Sequence, residues 1–133
     1  MPEFAGVSHV ALSVRDRDAS RAWYHEVLGF EVIDDVHEEA YDEWVLVNHR
    51  NGVILCMQQH RANRGEEADP SRTGGDHVAL RVDSRDDLNE WKLWFEKLDV
   101  VHSPVVDREY GSVLSFKDPD RIQLELFYRE NHP

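Results

Sequence analysis

The chain has 133 residues, which is the size of one domain with a modest core, and its 41% hydrophobic and 10% aromatic content is that of a globular protein and not of a disordered one. Asp and Glu outnumber Lys and Arg by 27 to 15, and the resulting charge of -12 repels phosphate backbones and anionic lipid surfaces, which excludes nucleic acid and membrane as partners. No stretch approaches the ~20 apolar residues of a membrane span, MPEFAGV lacks the basic start and apolar run of a signal peptide, and the single Cys56 cannot form an internal disulfide, so a cytoplasmic protein is expected.

Chain order begins with a strand, HVALSV from His9, in which Val10, Leu12 and Val14 share one face while His9, Ala11 and Ser13 share the other. The apolar face requires a cover. DASRAWYHEVLGF supplies it as an amphipathic helix, with Ala19, Ala22, Trp23, Val27 and Phe30 read as its inner stripe. Asp16 or Asp18 is placed to cap its start and Gly29 to end it. Strands follow at Glu31–Val36, Trp44–Asn48 and Val53–Gln59, the last two forming a hairpin about Asn51-Gly52. ANRGEEADPSRTGG then reads as a surface linker.

Beyond the linker the same order repeats. HVALRV starts at His77, 68 residues after His9; Trp91 follows Trp23 by 68 and Leu98 follows Leu28 by 70. Val78, Leu80 and Val82 form the apolar face of this strand, with His77, Ala79 and Arg81 opposite. DDLNEWKLWFEKL is the covering helix, capped by Ser84 and carrying Leu88, Trp91, Phe95 and Leu98 inward. Strands are expected at Val100–Val106, Ser112–Phe116 and Ile122–Tyr128, with a turn at Asp118-Pro119-Asp120 before the last. Each half is therefore βαβββ: one domain over residues 1–133, with modules at about 6–60 and 76–128 and a linker at about 61–75.

In the final strand, IQLELFY, Ile122, Leu124, Leu126 and Tyr128 share the apolar face, and Gln123, Glu125 and Phe127 the other. A carboxylate in such a strand must be paired, protonated or bound to a cation. His9 and His77 occupy the corresponding faces of their strands. Two imidazoles and one carboxylate make up the set that holds divalent Fe, Mn, Zn or Ni while leaving positions open for a substrate. Core histidines and paired carboxylates offer the alternative account of the same residues.

The segments VSHVALSVRDRDASRAWYHEVLGFEV, GDHVALRV and VLSFKDPDRIQLELF together resemble the vicinal oxygen chelate superfamily, the glyoxalase, bleomycin-resistance and extradiol-dioxygenase group, from Val7 to Tyr128. The resemblance implies an α+β fold of two βαβββ modules forming a curved, eight-stranded mixed sheet with helices on its outer face. It also implies a divalent metal on His9, His77 and Glu125, a small-molecule substrate or ligand, and a homodimer with shared sites.

The family's frequent fourth ligand falls by symmetry on Cys56, read as an inert buried thiol, which leaves a three-ligand site like that of the family's dioxygenases and thiol transferases. DPDR stands where the family has DPDG, so Arg121 must take a glycine position. Ala11 stands where fosfomycin-resistance transferases carry threonine, which argues against their particular chemistry. Tyr110, before the SVLSF strand, is the candidate catalytic proton donor, and Arg81 the candidate substrate-binding cation. The resemblance implies a metal-dependent lyase or dioxygenase acting through two adjacent oxygens. A drug- or metabolite-sequestering protein of the bleomycin-resistance type is the alternative, suited to a cationic ligand by the acidity of the chain.

Overall fold

The computed structural model describes residues 1–132. The chain divides into two compact units, with the boundary after Glu66, inside the stretch read as a linker. The first unit holds β1 (Val10–Ser13), α1 (Arg17–Leu28), β2 (Glu31–His37), β3 (Tyr41–Val47) and β4 (Ile54–His60), with sheet order β1-β4-β3-β2. The second holds β5 (His77–Arg81), α2 (Arg85–Lys97), β6 (Val106–Arg108), β7 (Gly111–Lys117) and β8 (Gln123–Tyr128), in the matching order β5-β8-β7-β6. Each unit is a βαβββ module whose first and last strands pair in parallel, β1 with β4 and β5 with β8, the other neighbours being antiparallel. The α+β class and the duplication follow the expectation, with the eight strands forming two four-stranded mixed sheets.

Local chemistry explains where the helices begin. The Asp16 carboxylate accepts from the free N–H groups of Asp18 and Ala19, and Gly29 ends α1 in the left-handed conformation, φ 71°. Ser84 caps α2 in a reciprocal box with Asp87, each side chain accepting from the other's backbone N–H. Arg121 does adopt the conformation usual for glycine, φ 62°, within a turn in which the Asp118 carboxylate accepts from the N–H groups of Asp120 and Ile122. Its guanidinium pairs with Glu67 at 3.2 Å.

Strands β7 and β8 alternate in burial as the parity argument requires, whereas β4 buries Leu55, Cys56 and Met57 in a row. Leu46, Leu55 and Met57 lie under α1 with Val14, and Leu114, Phe116, Leu124 and Leu126 lie under α2. Two expectations about the helices and strands need correction. The buried face of α1 is Ser20, Tyr24, Val27 and Leu28; Ala19 and Ala22 are exposed and Trp23 is only half-buried, as is Trp91 in α2. Alanine costs nothing at a solvated helix position, so two alanines drew the inferred stripe away from Tyr24, which is the residue the core takes in. The first β-strand after α2 is short as well. Pro104 has no N–H for a ladder, so Val100–Val106 gives a single bridge, His102 to Phe116, and β6 starts only at Val106.

The β2–β3 hairpin carries a surface ion network absent from the sequence reading. His37 touches Asp42 at 2.8 Å and Asp35 at 3.2 Å, and those carboxylates pair with Arg61 and Arg17, each at 2.6 Å. The hydrogen bond to Asp42, then the charge of Asp35, raise the His37 pKa above 6.5. Arg61 chiefly holds Asp42 below the usual carboxylate range, and Arg17 does the same for Asp35. The imidazole thus stabilises the fold fully below pH 6.5, an effect lost as pH rises through its raised pKa; the carboxylates stabilise it above pH 3.8, an effect lost as pH falls through their lowered values. Urea midpoints measured from pH 5 to pH 8.5 should fall across the upper part of that range in the parent and stay flatter in His37→Ala. Identical slopes would remove the network as a source of the pH dependence.

Candidate metal centre

Register in the second unit brings two of the three expected ligands together. In the parallel β5–β8 pair, His77 lies opposite Gln123 and Ala79 opposite Glu125, so the histidine and the glutamate share the sheet face turned away from α2. The Nε2 atom of His77 lies 3.6 Å from Oε2 of Glu125. The other carboxylate oxygen of Glu125 accepts from the Gln123 amide at 3.2 Å and the Ser115 hydroxyl at 3.4 Å. With its side chain only 17% exposed, Glu125 is held by partners on both sides and does not stand as a lone buried charge.

Asp76 determines how the imidazole is presented. Its carboxylate, which can only accept, lies 2.7 Å from Nδ1 of His77, so Nδ1 carries the proton and Nε2 is left to face Glu125. That hydrogen bond is the main reason the His77 pKa is raised, with the charge of Glu125 adding to it. A proton and a divalent cation compete for the same Nε2 lone pair. A nitrogen and an oxygen 3.6 Å apart can both lie at the ~2.0–2.2 Å ligand distances of one such cation. The donor chemistry therefore fits a metal: an oriented imidazole, an anchored carboxylate and an acceptor behind the imidazole.

The first unit repeats the arrangement in part. Ser8 Oγ lies 3.1 Å from Nδ1 of His9, the counterpart of Asp76 behind His77. Cys56 lies opposite Ala11 on the rung that matches Ala79 and Glu125, so its symmetry position is the one inferred from the sequence. Burial first, then the neighbouring Glu43, push the Cys56 thiol up to about 11, which keeps it protonated and a poor ligand at neutral pH. Glu43 itself is buried, shares a rung with Gln58 and accepts from that amide at 2.5 Å. The sequence reading passed over it, although the alternation of YDEWVLV sets Glu43 among apolar Val45 and Val47 by the argument applied to Glu125.

Asp76 and Phe127 were also missed. Asp76 was legible as the residue directly before a candidate ligand. Phe127 lies opposite Arg81 on the β5–β8 pair and stacks on Tyr110, the ring centroids 6.3 Å apart and the planes inclined by 19°. Arg81 and Tyr110 are both exposed, and Arg81 lies 3.5 Å from Asp83. Among the described residues, no group of three or more His, Cys, Asp or Glu side chains is gathered to hold a metal, and no helix is long and apolar enough to cross a membrane.

The family model of the Glyoxalase/Bleomycin resistance protein/Dioxygenase superfamily matches residues 6–126. The metallothiol transferase FosB of Staphylococcus epidermidis is 25% identical over 123 residues, 91% of this chain and 81% of its own. The crystal structure of a glyoxylase/bleomycin resistance protein/dioxygenase domain from Frankia sp. EAN1pec superposes with a TM-score of 0.88 at 29% identity, covering 96% of this chain and all of that one. A variant of the fosfomycin resistance protein FosX from Listeria monocytogenes, complexed with Mn(II) and 1S,2S-dihydroxypropylphosphonic acid, shares the fold with a TM-score of 0.71 at 18% identity, covering 97% of this chain and 95% of that one. A duplicated βαβββ fold and a family match over residues 6–126 lead to one conclusion: the chain belongs to the Glyoxalase/Bleomycin resistance protein/Dioxygenase superfamily.

Proposed function

We propose that this protein is a cytoplasmic, metal-dependent enzyme that binds a small substrate through two adjacent oxygens, with His9, His77 and Glu125 as the ligands of one divalent cation. The observation that carries this reading is the His77 imidazole, turned by Asp76 so that Nε2 faces Glu125 at 3.6 Å. Bound there, iron, manganese, nickel or zinc supplies Lewis-acid stabilisation of negative charge developing on a substrate oxygen. Asp76 keeps the proton on Nδ1, and Ser115 and Gln123 hold Glu125 in place. Arg81 pairs with an anionic group of the substrate, and the Tyr110 phenol is the proton donor. The chain acts as a homodimer with shared sites, in which His9 from the same or a second copy completes the ligand set.

Manganese is the first cation to test, because the FosX variant binds it. The decisive experiment measures metal content by mass spectrometry after reconstitution with Mn(II), in the parent, His9→Ala and Glu125→Ala. About one equivalent in the parent and less than a tenth in both variants supports the reading. It also justifies screening diols, catechols and, given the metallothiol transferase relative, thiol adducts of small electrophiles. A parent that takes up no Mn(II), Fe(II), Ni(II) or Zn(II) overturns it in favour of the sequestering protein, which the charge of -12 would suit for a cationic ligand.

A further inference from the structure

In the first unit α1 packs against β3 and β4 and leaves the helix side of the edge strand β2 largely bare. Val32, whose register partner Leu46 is buried under α1, is 40% exposed. Between helix and strand runs a groove of about 730 Å³, within the roughly 300–1,000 Å³ of small-molecule sites. It is lined by Arg21, His25 and Glu26 from α1 and by apolar surface from Ala22, Phe30 and Val32. Glu31 lines it as well, but its carboxylate is engaged, 3.5 Å from Nε2 of His49.

Two charges in this groove are unmatched. The Arg21 guanidinium lies 5.4 Å from the centroid of the Trp44 ring, whose Nε1 donates to Asp18 at 2.7 Å, and it has no ion-pair partner among the described residues. The indole holds the guanidinium by one face and leaves its N–H fork free for a carboxylate. Glu26 likewise has no ion-pair partner among the described residues. His25 adds an acceptor: the Phe30 carbonyl oxygen lies 3.0 Å from Nδ1 and can only accept, so Nδ1 carries the proton and Nε2 of the neutral ring keeps its lone pair.

The fold does not require these groups. At the 68-residue offset of the duplication, Arg21, His25 and Glu26 correspond to Asn89, Leu93 and Trp94, and a second module with the same element order forms without them. Nor do the two charges serve each other, because helix residues five apart are not neighbours on one face. They lie ~7.5 Å apart along the helix axis. An anion would satisfy Arg21 and be repelled by Glu26; a cation would meet the reverse. An α-amino acid carries both charges on one carbon, too close together to reach both residues.

We infer that the α1–β2 groove is a binding site for a linear ω-amino acid, with its carboxylate on Arg21, its ammonium on Glu26 and Nε2 of His25, and its methylene chain along Ala22 and Val32. The groove lies on the α1 side of the first sheet, whereas His9 and Cys56 belong to the opposite face, so the site stands apart from the metal-dependent reading.

Calorimetric titration of the 133-residue chain with 6-aminohexanoate, hexanoate and hexylamine tests this, because the three share a chain length and differ in which ends are charged. The parent is expected to bind 6-aminohexanoate at least ~10-fold more tightly than either singly charged probe. Arg21→Gln should bring that affinity down to the level of hexylamine, and Glu26→Gln down to that of hexanoate. Arg64→Gln, which removes the same charge from the linker, should change nothing. Arg21 and Glu26 are exposed, so thermal midpoints of their variants should match the parent within a degree or two. No binding of 6-aminohexanoate, equal affinities for the three probes, tighter binding of hexanoate, or an affinity unchanged in both Arg21→Gln and Glu26→Gln would overturn the site.

Discussion

Mn(II) binding is expected to weaken by more than ~100-fold in His77→Ala and by about 10–100-fold in Asp76→Asn and Asp76→Ala, with the alanine variant the weaker binder of the two. The first exchange removes a donor atom. The other two leave every proposed ligand in place and alter only how His77 is presented. In Asp76→Asn the amide oxygen can still accept from Nδ1, so the orientation of the ring survives while the negative charge behind it is lost; in Asp76→Ala both go, and the ring is free to turn. Asp76 is exposed, so none of this should cost stability, and thermal midpoints of the two Asp76 variants should match the parent within a degree or two. Competition with a chelator of known affinity measures the series. Unchanged affinity in both Asp76 variants would show that the Asp76–His77 bond plays no part in metal binding, and an unchanged His77→Ala would remove the site.

Phe95→Ala should destabilise the second unit by about 3–5 kcal/mol, the range for deleting a fully buried aromatic ring. Phe95 has no exposed surface and is the centre of an aromatic cluster in which its ring lies 4.5 Å from Phe116, 5.6 Å from Trp91 and 6.0 Å from His102. Through Phe116 the ring packs α2 against β7, so its loss leaves a cavity that backbone hydrogen bonding prevents the sheet from closing. Phe95→Leu, which refills most of the volume, should recover more than half of the loss. Urea denaturation with an unchanged slope would measure it; a cost below about 1 kcal/mol would mean that the helix is held elsewhere.

The two proposed ligands of the second unit show how much of the candidate site was legible in the sequence. Strand side chains alternate strictly, so His77 and Glu125 could be assigned to one face from HVALRV and IQLELFY alone, and the structure sets them 3.6 Å apart. The same parity argument, applied to YDEWVLV, would have exposed Glu43. Helix faces were less legible, because a stripe is found by counting apolar residues and alanine is apolar at no cost in either place; hence Ala19 and Ala22 were set inward in place of Ser20 and Tyr24.

By itself the sequence determined the duplicated βαβββ order, the caps at Ser84 and Gly29, a cap at Asp16 or Asp18, and the faces of β1, β5 and β8. All of these follow from local periodicity and from hydrogen bonds within a few residues. Only the tertiary structure decided that Asp76 aims His77, that Gln123 and Ser115 secure Glu125, that Glu43 sits beside Cys56, and that Phe127 lies under Tyr110. These depend on which residues of different strands fall on one rung and on how each side chain turns, and in the parallel β1–β4 and β5–β8 pairs that register joins segments far apart in the chain, with no connecting turn to set it.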